Sequence, residues 1–411
     1  MELKDEWIQQ DVVLENPLLK ITLKGMMYYG IVLYKSQSKK VLSNFLGICF
    51  TISILAFNIT QYVDLYQVWG NFSEMTVNAS TTLFFTSTIT RLLHFYWNRS
   101  KFNTAIRRAD EMIRQVLHRG NEAEKRTLTG NVKYMKRLTA VFWICCMVTP
   151  NIMYVSTLLQ YFFMHPTEHQ PTVMRSWYPE SKNHFAILYC IQLYILCICQ
   201  LIIPCWHMFV ISLMVFVRTM LLVLNYKLSH LEHYEISELS DDLPVRKPQE
   251  CPKATRCSLR KKLLIECIRL QCDIYDFTHE LEKLTKSSMF MDFVVFSVLL
   301  CLRLFEISVT DSTVQVLIDV CVIMVSIAII FLYYWHANEI SYHANSLSNS
   351  AFSSDWYNYP RSVNRYLITI ICYSMKPLTM KAYFVMMSLN TFISILRASY
   401  SYFTILKQVI E

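Results

Sequence analysis

Glycine is scarce, with 6 residues in a chain of 411. That argues against glycine-rich phosphate loops, flexible linkers and internal repeats. Charge is thin as well: 17% of residues, where a soluble domain usually carries about 25%. The first forty residues are polar and hold no apolar core before Val41, so no cleavable leader is expected and the first span should act as its own insertion signal. No G-x-S-x-G, H-E-x-x-H or nucleotide-loop signature occurs, which leaves an enzyme without a catalytic cluster and calls for no cofactor. Metal spacing is absent too. His165 and His169 are separated by Pro166, and Cys251, Cys257, Cys267 and Cys272 lack the close pairing of zinc sites. Most of the 14 cysteines, among them Cys49, Cys145, Cys146, Cys190, Cys197, Cys199, Cys205, Cys301 and Cys321, lie in apolar runs. Such thiols are small hydrophobes, not a disulfide framework.

What the chain has in abundance is apolar sequence, 54% of it, gathered into runs long enough to cross a bilayer. A span needs about 20 mainly apolar residues. Seven candidates meet this: Val41–Tyr62, Met75–Trp97, Leu138–Phe163, His184–Val217, Lys286–Ile307, Ser312–Trp335 and Ala382–Leu406. Arg91, Asp292, Arg303, Asp319 and Arg397 fall inside them. A charge at a span centre costs roughly 2.5–3.5 kcal/mol, so these groups should find partners, water or an interface.

Loop charge sets the orientation. Lysine and arginine crowd the N-terminal arm, the 98–137 loop and the 223–285 segment, whereas the 64–74 loop and the short loop before Ser312 carry none. The alternation places the N-terminus in the cytosol and, after an odd number of spans, the C-terminus outside. The net charge of +8 then belongs to the cytosolic face of the bilayer and does not indicate nucleic-acid binding. The sequons at Asn71 and Asn78 lie in or beside the bare first loop, where glycosylation is expected.

The expected fold class is all-α: a seven-span membrane protein of inverted topology with a helical cytosolic anchor layer. Its parts are an arm (1–40), spans one to four with the ligand bundle (41–222), a cytosolic loop and helix (223–285), spans five and six (286–336), an anchor segment (337–378) and the last span (379–411). The loop includes a proline-rich break, Asp241–Pro252. From Leu259 an amphipathic helix runs into span five, and a second cytosolic helix is expected over Ser362–Met375.

Two constellations stand out. In the last span Asn390, Ser394, Ala398, Ser401, Ile405 and Gln408 fall within about 40° of one direction on a helical wheel. A lean, polar stripe of this kind suits either close helix packing or a pore wall with Ile405 as a dewetting constriction. Aromatic and small polar residues also cluster in the outer halves of spans two to four: Phe84, Phe85 and Thr88; Asn151, Tyr154 and Leu158; Tyr189, Gln192 and Leu196. They suit a pocket for a small hydrophobic ligand, or ordinary bundle packing.

The last sixty residues carry a pattern. Ser350-Ala351-Phe352 precedes Asp355-Trp356-Tyr357, then Lys376-Pro377-Leu378, then Leu389-Asn390-Thr391-Phe392 and Ser399-Tyr400-Ser401-Tyr402-Phe403-Thr404-Ile405-Leu406. This resembles the insect odorant receptors. The resemblance implies an odorant-gated, non-selective cation channel in the dendritic plasma membrane of an olfactory neuron, with a tuning subunit and a co-receptor assembled as a heterotetramer. It implies that the last helix lines the central pore, with the gate aliphatic at Ile405 and the glutamine at Gln408, and that a volatile ligand sits between the outer parts of the spans. The loop between spans four and five is too short for a co-receptor, which implies a tuning subunit. A gustatory-type channel is the alternative within the superfamily. A G-protein-coupled receptor would need the opposite orientation.

Overall fold

The computed structural model of the protein describes residues 16–28, 37–163, 173–178, 185–235 and 253–410. His165, His169, Cys251 and the Asp241–Pro252 break lie outside them, as do residues 1–15 of the arm. The helices are α1 (Lys20–Tyr28), α2 (Gln37–Gln67), α3 (Phe72–Arg119), α4 (Glu122–Phe163), α5 (Phe185–Ser229), α6 (Lys253–Val309), α7 (Thr313–Phe352), α8 (Arg361–Ser374) and α9 (Leu389–Ile410). A two-stranded hairpin, β1 (Lys381–Ala382) and β2 (Val385–Met386), precedes α9.

Among the described residues, α2, α4, α5, α6 and α7 are long and apolar enough to cross a membrane by composition. The other two expected spans, in α3 and α9, are diluted by serine, threonine, asparagine and arginine, which serve polar faces described below. Several helices overshoot the bilayer. The 57 residues of α6 extend about 85 Å at ~1.5 Å per residue, against a hydrocarbon core of about 30 Å. The amphipathic segment and the expected span five are therefore one rod. Leu264, Ile274, Phe277 and Leu281 on its inner stripe are buried.

The core is centred on α5, which packs against α1, α2, α4, α6 and α7. Its run from Met208 to Val217 is almost fully enclosed. A helix surrounded by helices can be apolar all round without meeting lipid, which explains why this run is longer than a bilayer requires. By contrast α2 exposes Phe45, Ile48, Ile52, Leu55 and Ile59, a stripe suited to acyl chains.

Four of the five charges within the expected spans pair across helices. Arg91 Nη2 lies 2.5 Å from Asp292 Oδ1, and Arg303 Nη1 lies 2.7 Å from Asp319 Oδ1 and 2.8 Å from Glu306 Oε2. Arg397 is exposed. Beneath them, the basic loops and helix extensions form a layer tied by Arg218–Glu339, Arg260–Glu235 and Arg108–Glu280, at 2.7, 2.6 and 2.5 Å. Buried Glu124 receives both Lys227 and the Tyr234 hydroxyl. Helix α8 falls within one residue of its expected bounds.

The last span starts later than the Ala382 expected from hydropathy. Residues 381–386 pair antiparallel, Ala382 opposite Val385, with Tyr383 at φ 57° in the turn. The Ser388 hydroxyl accepts from the Thr391 amide at 3.4 Å, a side-chain N-cap that starts α9 at Leu389. An apolar β-prone stretch and an apolar helix have similar hydropathy, so composition merged them.

Candidate ligand cavity and exposed face of the last helix

A cavity of about 140 Å³ lies in the half of the bundle that holds the α2–α3 and α6–α7 turns. This is the outer half in the orientation implied by loop charge. Helices α3, α4, α5, α6 and α7 each contribute to its wall, mainly with apolar groups such as Phe84, Phe85, Met153, Leu196, Phe296 and Ile329. Two prolines, Pro150 in α4 and Pro204 in α5, border it. A proline inside a helix frees a backbone carbonyl and bends the rod, which helps to open space between otherwise tight helices.

Above the cavity runs the segment 173–178. Gln192 secures it with both ends of its amide: Oε1 accepts from the Val173 and Met174 amides at 2.9 and 3.2 Å, and Nε2 donates to the Met174 carbonyl at 2.7 Å. On the other side Arg175 reaches Asp64 and Glu74 at 2.9 and 2.8 Å. Met174 is thereby held as a roof residue of the cavity.

The sequence-derived pocket residues divide accordingly. Phe84, Phe85 and Leu196 line the cavity. Thr88 lines a much smaller neighbouring space with Arg91 and Trp206. Tyr154 is buried beside it, donating to the Leu193 carbonyl at 3.2 Å, with its ring edge-on to Tyr189. Neither tyrosine nor Leu158 is among the lining residues. Gln192 is a roof support, not a wall group. Asn151 requires correction: its side chain is exposed, donating to the Met147 carbonyl one turn back at 2.6 Å. By sequence it qualifies as a polar residue in the outer half of its span, but it points away from the bundle. Wall groups that periodicity missed are Thr149, Gln200 and Arg303. The signal available for the last two was a lone polar residue within an apolar run.

Asn78 also requires correction as a glycosylation site. It is fully buried, donating to the Gln61 carbonyl and Asp64 and accepting from Thr82 Oγ1 at 2.6 Å. Asn71 is exposed at the start of α3.

Helix α9 lies against α6 and α7, burying Ile395 and Ser399 and half-burying Phe392 and Leu396. Its opposite face is open. Asn390, Ser394, Ala398, Ser401, Ile405 and Gln408 are all exposed, so the stripe packs against no other described helix of its own subunit.

A model of the 7tm odorant receptor family matches residues 71–400. The chain belongs to that family. Odorant receptor 56a of Drosophila melanogaster is 25% identical over 96% of each chain, and odorant receptor Or2 of Anopheles gambiae is 24% identical over 96% of this chain and 98% of its own. The structure of the insect olfactory receptor OR5 from Machilis hrabei in complex with eugenol superposes with a TM-score of 0.74 over 98% of both chains, at 14% identity. This odorant receptor chain thus has the fold of a seven-span olfactory receptor and is a multi-pass membrane protein.

Proposed function

We propose that this odorant receptor chain is the odour-tuning subunit of a ligand-gated, non-selective cation channel, assembled with a co-receptor as a heterotetramer in the dendritic plasma membrane of an olfactory neuron. The observation that carries the proposal is the contrast between two exposed faces of one molecule. The outward side of α2 is isoleucine, leucine and phenylalanine, whereas the exposed residues of α9 include Asn390, Ser394, Ala398, Ser401 and Gln408, beside Ile393, Tyr400, Tyr402 and Ile405. Exposed hydroxyls and amides at membrane depth are costly in lipid. They are well placed around a water column formed by several subunits, where a ring of aliphatic side chains can close the path by dewetting.

The cavity suits a volatile ligand in size and apolarity. A ligand bound there opens the channel only as far as it binds the open state more tightly than the closed one. Helix α6 carries the change, because it forms a cavity wall on one side and the seat of α9 on the other. The test is current recording from cells expressing the chain with and without a co-receptor across a panel of volatiles. Odour-evoked cation current that requires both subunits is expected. Surface-expressed receptor that stays silent to the whole panel in the co-expressing cells would remove the channel proposal.

A further inference from the structure

Three side chains that line the cavity hold a hydrogen-bonding atom with no partner among the described residues: Thr149 Oγ1, Gln200 Nε2 and Arg303 Nε. Each is shielded from solvent. Other polar groups in the same wall are already committed. Ser80, Thr81 and Ser326 donate to the carbonyls of Val77, Asn78 and Val322, at 2.9, 2.9 and 2.8 Å. Buried donors without partners are rare and call for an explanation. Three in side chains that line one cavity, contributed by α4, α5 and α6, are unmet donor capacity beside a mainly apolar space.

We infer that the cavity selects small neutral molecules that carry a hydrogen-bond acceptor, such as ketones, esters and lactones, over hydrocarbons and ions of similar shape. The inference rests on the cavity being the ligand site. Size sets the first limit: a cavity of about 150 Å³ accommodates benzene, so one ring or a short chain fits this one of about 140 Å³. The donors set the second. A carbonyl oxygen accepts from the guanidinium Nε, the amide or the hydroxyl and needs no donor of its own. Charge sets the third. Arg303 already holds Glu306 and Asp319 through Nη1, so a ligand carboxylate at its Nε would lie close to two carboxylates. An ammonium ion would lose its hydration in an apolar wall.

The test uses the full chain co-expressed with a co-receptor and reads two quantities: ligand-induced thermal shift of the solubilised complex, and odour-evoked current. The probes share one ring: acetophenone, methyl benzoate, ethylbenzene, benzylamine and benzoate. Acetophenone and methyl benzoate are expected to bind about tenfold or more tightly than ethylbenzene, the scale of one hydrogen bond to a charged or buried donor, and the two ions weakest. The double variant Thr149→Val, Gln200→Met keeps wall volume and should reduce that preference severalfold. Arg303→Lys keeps the charge and should reduce it further where the protein still folds. Equal binding of ethylbenzene and acetophenone overturns the inference and leaves the cavity reading intact. A preference that survives in the double variant and in folded Arg303→Lys also overturns it. If none of the probes binds or activates, the cavity reading fails, and the inference fails with it.

Discussion

The Ser399 hydroxyl on α9 donates to the Ser297 carbonyl on α6 at 3.2 Å, and Ser297 follows Phe296, a wall residue of the cavity. One turn of α6 therefore meets the ligand space on one side and the last helix on the other. Ser399→Ala removes this link at small cost in volume. A net hydrogen bond is worth about 0.5–1.5 kcal/mol, so the odour concentration for half-maximal current should move roughly two- to tenfold while thermal-shift affinity stays constant. A dose–response curve that overlays the parent would show that the bond does not contribute to gating.

Ile405 is 55% exposed on the open stripe of α9. Truncating it to alanine should widen the proposed constriction and wet it, producing a standing cation leak without odour. Leak and sensitivity equal to the parent would mean the gate lies elsewhere.

The Arg91–Asp292 pair joins α3 to α6 with both side chains 5% exposed, while His207 Nδ1 lies 3.9 Å from the other carboxylate oxygen. Asp292→Leu alone leaves an arginine buried without its counter-ion, a loss of about 3–5 kcal/mol. Surface expression and thermal midpoint should fall sharply. Arg91→Met combined with Asp292→Leu should recover much of both. A double variant as damaged as the single would mean that the pair has a role beyond charge compensation.

Glycan mapping should separate the two sequons. Asn71→Gln is expected to abolish the glycosidase-sensitive gel shift, because Asn71 is exposed. Asn78→Gln should leave the shift unchanged and lower stability instead, since Asn78 is fully enclosed with its amide engaged. Loss of the shift in the Asn78 variant alone would reverse this assignment.

Cysteine labelling tests both protonation and orientation. Burial pushes the Cys267 thiol up to about 12. Its folded pKa thus lies above the ordinary thiol value, so the thiol form is favoured in the folded chain throughout the neutral range and raising the pH through that range produces little thiolate. Because the thiolate is the nucleophile, Cys267 should resist maleimide until the chain unfolds. Cys372 on α8 is exposed and should react with an impermeant maleimide only after the cell is permeabilised. Labelling of Cys372 on intact cells would invert the proposed topology.

The lean, polar stripe of α9 is legible in the chain's own residue order, because small and polar residues repeat at helical spacing and that spacing alone defines one side of a helix. Which side the bundle leaves uncovered is not legible there. Packing against α6 and α7 decides it, through Ile395 and Ser399. The cavity is less legible still. Phe84, Phe85 and Leu196 line it, but the same aromatic-and-amide pattern also selects Gln192, which holds the roof, and Asn151, which faces outward. Periodicity specifies a direction about one helix axis and carries no information about the neighbour found there.

By itself, the sequence determined the helical class, the approximate positions of the spans and a charge asymmetry that implies their orientation. Hydropathy, helical period and lysine–arginine placement are local properties, summed over about twenty residues at a time. The tertiary structure alone decided that Arg91 meets Asp292, that Asn78 is enclosed, that α9 begins only after a hairpin, and that Thr149, Gln200 and Arg303 border one cavity. Those outcomes depend on how long rods cross, and a crossing brings together residues such as Arg91 and Asp292, 201 positions apart, a distance over which no local pattern carries information.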